Sequence, residues 1–71
     1  MKLSAMNQIK GKVLSIEEEG NSANSIVALD IGGGNTVYST TSNAAVAKLG
    51  LAVGKEAYAV ITARNVLLGA D

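Results

Sequence analysis

Apolar and polar positions alternate with a period of two over most of the chain, the repeat of a β-strand and not of a helix. Between 9 and 17, Ile9, Gly11, Val13, Ser15 and Glu17 fall on one side, and Lys10, Lys12, Leu14 and Ile16 on the other. Apolar residues stand on both sides, which predicts a strand covered on two faces. The acidic run Glu17, Glu18, Glu19 and the turn-like Gly20-Asn21-Ser22 end it. Segments 25–31 and 36–41 predict a second and a third strand, and Gly32-Gly33-Gly34-Asn35 between them predicts a hairpin.

Ser42 or Asn43 is a candidate N-cap for a helix over 44–50, which is rich in alanine and closed by Gly50. Val46 and Leu49, three apart, are expected to face the core. A turn over 51–55 leads to a fourth strand over 56–62. Ala63-Arg64-Asn65 breaks that strand, and 66–68 predicts a short fifth. Five strands with one short helix between the third and fourth predict an all-β fold. It is a small Greek-key barrel of the oligonucleotide/oligosaccharide-binding (OB-like) type, with the helix plugging one end. No internal repeat interrupts the pattern, so residues 1–71 are expected to be a single domain.

Composition changes this picture in one respect. A 71-residue chain buries only about 60% of the surface its unfolded form exposes, and usually needs help to be stable. Cysteine and histidine are both absent, which excludes disulfide staples, thiolate zinc sites and histidine metal sites. Hydrophobic residues make up 48% and charged residues 17%, where about 25% charged is usual. The surplus apolar surface predicts a subunit interface; the alternative is a lone barrel with a greasy exterior. No apolar run is long enough to span a membrane, and the start shows no signal-peptide core. A cytoplasmic protein with no membrane partner is expected.

Six basic residues balance six acidic ones, so there is no basic face to meet a phosphate backbone. Two tyrosines are the only aromatics, too few for a base-stacking platform. Nucleic acid is therefore not an expected partner. An enzyme is not expected either, because no Cys or His supplies a nucleophile or a base tuned near neutrality. The three glutamates read as a solvated strand end, and Asp30 is the one acid inside an apolar strand. The glycine cluster precedes a strand, with no Lys-Ser/Thr after it, so it does not fit a phosphate-binding loop.

Short polar donors, by contrast, are plentiful. They cluster at the start (Ser4, Asn7, Gln8), at the end of the third strand (Ser39 to Asn43), and after the fourth (Thr62, Asn65). Such side chains, with exposed backbone N–H groups beside them, either bind an oxyanion without formal charge or serve as caps and turns.

Ser4-Ala5-Met6-Asn7-Gln8-Ile9-Lys10-Gly11-Lys12-Val13 resembles the opening of the molbindin (Mop) family, Ser-Ala-Arg-Asn-Gln-Leu-x-Gly. Ile31 to Asn35, Leu49-Gly50-Leu51, Gly54 to Ile61 and the ending Asn65 to Leu68 are similar to further family segments, in order and over nearly the whole chain. The resemblance implies a TOBE-like barrel assembled as a homohexamer, a trimer of dimers, that binds molybdate or tungstate at subunit interfaces. It also implies that the Ser-Ala-Arg-Asn segment comes from one subunit. A Thr before the helix, a Ser within it and a Lys-Ala/Ser pair after the fourth strand come from another.

Carried over by position, Ser4, Asn7 and Ala63 match, Met6 stands at the Arg, Ser42 at the Thr, Ala45 at the Ser and Thr62 at the Lys. The expected oxyanion ligands are Ser4, Ser42 and Thr62 through hydroxyls, and Ala5, Met6 and Ala63 through backbone N–H groups, together with Asn7. Both family cations are replaced, and a charge-assisted hydrogen bond is roughly twice as strong as a neutral one. Arg64 is the candidate replacement cation, and strand alternation would put it on the face of Thr62. Two functions are open: storage or buffering of the oxyanion, or an assembly-only or regulatory module whose site has decayed.

Overall fold

The computed structural model describes residues 5–71. Four strands form one antiparallel sheet: β1 (Asn7–Glu18), β2 (Asn24–Gly32), β3 (Asn35–Ser42) and β4 (Glu56–Ile61). Helix α1 (Asn43–Leu49) joins β3 to β4, and a 3₁₀ turn (Ala63–Asn65) comes after β4. The strand order is β3-β2-β1-β4, the Greek-key arrangement in which a fourth strand returns beside the first.

β1 curls the sheet because its two halves serve two neighbours. Asn7 to Lys12 pair with β4, and Lys12 to Glu18 pair with β2; Lys12 faces Glu56 on one side and Asp30 on the other. At this crossing β1 lies hard against β2. A Cβ on Gly11 would sit 2.5 Å from the Asp30 carbonyl oxygen and 2.8 Å from Leu29 Cγ, so only glycine lets the backbones approach this closely.

Apolar residues on both sides of β1 have a different cause from the one expected. A β-bulge lies between Val13 and Ser15, so that Val13 faces Leu29 and Ser15 faces Ala28. The extra residue shifts the inward alternation from Ile9, Gly11 and Val13 to Ile16, and leaves Leu14 exposed. The strand is not covered on two faces; its inner face changes phase. Val13, Val27 and Leu29 form the core, with Ile16, Ile31, Val46, Leu51, Ala57 and Ala59 packed around it. The β2–β3 hairpin turns at Gly33 and Gly34, both at positive φ, as a primed two-residue turn requires. Asp30 is exposed and braces this turn, its Oδ1 accepting from Gly32 N at 2.9 Å.

The fifth strand expected over 66–68 does not form. The chain leaves β4 at Thr62, the 3₁₀ turn redirects it, and no strand among the described residues pairs with residues 66–71. Leu67 and Leu68 are 91% and 95% exposed. The outer edges of β3 and β4 also lack a partner among the described residues, so one chain makes a curled open sheet and not a closed five-stranded barrel. An apolar run becomes a strand only where it reaches an edge, and residues 66–71 pair with neither open edge of this chain.

Helix α1 starts and stops where its residues predict. Ser42 is the N-cap, its Oγ accepting from Ala45 N at 3.1 Å, and Gly50 closes the helix in the left-handed region at φ 66°. Val46 packs on the core, but Leu49 is 69% exposed. Leu51 occupies the place expected of Leu49. The chain reverses at Gly50, and Leu51 N donates back to Val46 O at 3.0 Å, which swings Leu51 inward.

Candidate functional site

Two of the three donor clusters lie side by side. Asn7 is the register partner of Ile61, so the segment of Ala5, Met6 and Asn7 adjoins Thr62, Ala63 and Arg64. Asn7 ties the two together, its Nδ2 donating to Ile61 O at 3.1 Å. That amide nitrogen acts as a structural clip. Gln8 Nε2 donates to Ala5 O at 3.2 Å and braces the same segment. Met6 is 83% exposed. Ser4 lies outside the described residues.

Thr62 is the N-cap residue of the 3₁₀ turn yet makes no capping bond with its side chain, so its hydroxyl is not committed to that turn. Alternation does not carry on to Arg64. Ala63–Asn65 is a 3₁₀ turn, which rotates by about 120° per residue, so Arg64 does not share the side of Thr62. Arg64 forms no salt bridge among the described residues; the ion pair present joins Lys10 Nζ to Glu56 Oε2 at 3.3 Å, between exposed side chains.

Ser42 stands apart. It pairs with Asn24 at the far end of β2, beside Glu18 at the opposite end of β1 from Asn7. β1 is 12 residues long, or about 40 Å of strand path. Ser42 Oγ uses a lone pair to accept from Ala45 N, and its proton remains available to donate. A shallow groove of about 500 Å³ runs along α1 between Ile16, Glu18, Ser25, Asn43, Val46 and Leu51. It borders the Ser42 end and not the segment around Met6. Glu17, Glu18 and Glu19 are exposed.

Sequence reasoning named Asn43 only as a candidate cap and donor, and did not single out Ser25. Ser25 is 2% exposed and its hydroxyl donates to Asn43 Oδ1 at 2.5 Å. The signal was legible: Ser25 shares the inward phase of Val27, Leu29 and Ile31, and a polar residue on a core face requires a partner.

A TOBE domain model matches residues 3–68. A Haemophilus influenzae protein described as a "Probable molybdenum-pterin-binding protein" is 59% identical over 71 residues, the full length of both chains. The chain belongs to the molbindin (Mop) family. Among solved structures, MopII from Clostridium pasteurianum superposes with a TM-score of 0.85 at 36% identity, covering 97% of this chain and 100% of that one. The cytoplasmic molybdate-binding protein ModG, in a form with molybdate bound, superposes with a TM-score of 0.89 at 42% identity; all of this chain covers 49% of that one. These molbindin relatives are described as binding proteins. No helix among the described residues is long and apolar enough to cross a membrane.

Proposed function

We propose that this molbindin chain is one oxyanion-binding domain that holds molybdate or tungstate between subunits of a homo-oligomer, for storage or buffering in the cytoplasm. The observation that carries the reading is the split of the candidate donors. Ala5, Met6, Asn7, Thr62 and Ala63 gather at one end of β1, while Ser42 sits at the other. A site that uses both groups takes them from two copies. ModG, described as cytoplasmic and as holding molybdate, supports the ligand and the compartment.

Surface area supports the assembly. The chain exposes 5457 Å², where a folded monomer of 7.2 kDa exposes about 4,100 Å². The excess, about 1,300 Å², is more than the ~800 Å² per partner of a standard interface. Much of it is apolar: Leu49, Val53, Tyr38, Leu67 and Leu68 are each at least 66% exposed. A trimer of dimers has closed symmetry and covers the unpaired edges of β3 and β4.

In this reading Ser4, Ser42 and Thr62 donate hydroxyl bonds and Ala5, Met6 and Ala63 donate backbone N–H bonds, with Arg64 the candidate side-chain cation. The domain is not an enzyme: it has no Cys or His to act as nucleophile or base. Neither nucleic acid nor membrane is a partner. Met6, Ala45 and Thr62, in place of the family Arg, Ser and Lys, favour a second reading, an assembly module whose site has decayed. Calorimetry with molybdate and tungstate, with sulfate as control, decides between them. Binding of the larger oxyanions over sulfate is expected; no heat with either, from a protein that is hexameric by native mass spectrometry, establishes the decayed module instead.

A further inference from the structure

Helix α1 is seven residues long and contains no fully buried residue. A helix this short is not stable on its own, so its direction is set by the few groups that tie it to the sheet. Three of these ties are at its first turn. Asn43 N donates to Ala23 O at 2.7 Å, Ala45 N donates to Ser42 Oγ at 3.1 Å, and Ser25 Oγ donates to Asn43 Oδ1 at 2.5 Å.

The third tie differs from the others in kind. It links two side chains, and one of them, Ser25, is the polar residue buried with the core on the inner face of β2. A buried hydroxyl is costly unless paired, and this one has a single side-chain partner, on the residue that follows Ser42. Ser42 in turn has its χ1 restrained, because its Oγ must reach Ala45 N. The orientation of the Ser42 hydroxyl is therefore coupled through one peptide unit to the Ser25–Asn43 contact.

We infer that Ser25 and Asn43 are positioning residues for the oxyanion site: their contact sets the angle at which α1 leaves β3, and so where the Ser42 hydroxyl can donate. The inference rests on the proposed oxyanion reading and adds to it two residues that touch no ligand. Selectivity depends on them too. A hydroxyl held at one distance discriminates between a larger and a smaller tetrahedral anion, whereas a hydroxyl free to move accommodates both.

The test is a mutant cycle on the assembled protein, read by calorimetry with molybdate and with sulfate, with oligomeric state checked by light scattering. Ser25→Ala and Asn43→Ala are each expected to weaken molybdate binding about tenfold, the scale of one hydrogen bond to an anion, and to narrow the gap to sulfate. Ser25→Thr, which keeps the hydroxyl, is expected to restore most of the affinity. The decisive readout is coupling: in a Ser42→Ala background, Ser25→Ala should cost nothing further.

A Ser25→Ala protein that binds like the parent overturns the inference. So does a loss that persists undiminished without the Ser42 hydroxyl, since that marks general loosening of the fold. If Ser42→Ala alone leaves affinity unchanged, Ser42 is not a ligand; the positioning role fails while the oxyanion reading survives. A parent that binds no molybdate removes both. Should Ser25→Ala fail to assemble, Asn43→Ala, at a half-buried position, carries the same comparison.

Discussion

Gly11→Ala tests the geometry on which the site is built. The added Cβ would lie 2.5 Å from Asp30 O and 2.8 Å from Leu29 Cγ, where ordinary contact begins near 3.4 Å. Leu29 is a core residue, 5% exposed, and the carbonyl belongs to the β2 residue that pairs with Lys12. Neither can swing aside, so the strands must part. Overpacking costs about 1–3 kcal/mol, and a clash with backbone belongs in the upper half of that range. Loss of glycine entropy in the unfolded chain returns about 0.4–1 kcal/mol, leaving a net destabilisation of about 2 kcal/mol. For a domain of this size each kcal/mol moves Tm by about 4–8 °C, so a fall of roughly 8–16 °C is expected. Calorimetric melting of parent and variant at one chain concentration measures it, because association makes Tm concentration-dependent. The same variant should weaken molybdate binding, since Asn7 is held against Ile61 by the strand that Gly11 steers. A Tm within about 2 °C of the parent, or above it, refutes the close crossing.

Met6→Arg with Thr62→Lys restores the charges of the molbindin motif. Two charge-assisted bonds in place of neutral ones should add about 2 kcal/mol, or roughly 30-fold in affinity, and should steepen the salt dependence, which is weak for neutral donors; titration at low and high salt reads both. If Arg64 is instead the working cation, Arg64→Ala should cost at least about tenfold and the double restoration should gain little. The 3₁₀ turn at Ala63–Asn65 favours the smaller Arg64 effect. If the proposed homo-oligomer forms, Leu67→Ser with Leu68→Ser should shift it toward smaller species by native mass spectrometry, because these side chains, 91% and 95% exposed in one chain, are the most exposed large apolar ones among the described residues; an unchanged oligomer would remove the tail from the interface.

What the sequence by itself determined is local. Alternation placed β1 to β4 to within two residues at each end, because a half-buried strand repeats its polarity every second position. Ser42 and Gly50 bounded α1, since the cap hydroxyl and the left-handed glycine act on their own turn. The glycine pair at positive φ made the hairpin for the same reason. The family could be read from ordered short segments.

Tertiary structure decided whatever depends on a neighbour. The bulge after Val13 exists only relative to β2, so the change of phase along β1 reads in sequence as apolar residues on two faces. Leu49 and Leu51 exchange roles because the reversal at Gly50 swings one of them onto the core. Val66, Leu67 and Leu68 carry the composition of a strand, but a strand needs an edge, and none of the chain's own reaches them. The same dependence separates the candidate ligands. Met6, Asn7 and Thr62 meet because β1 and β4 pair in antiparallel register, while Ser42 is carried to the other end of the sheet by β3. Residue types name the candidate donors; only the strand pairing shows that Asn7 lies at one end of β1 and Ser42 beside the other.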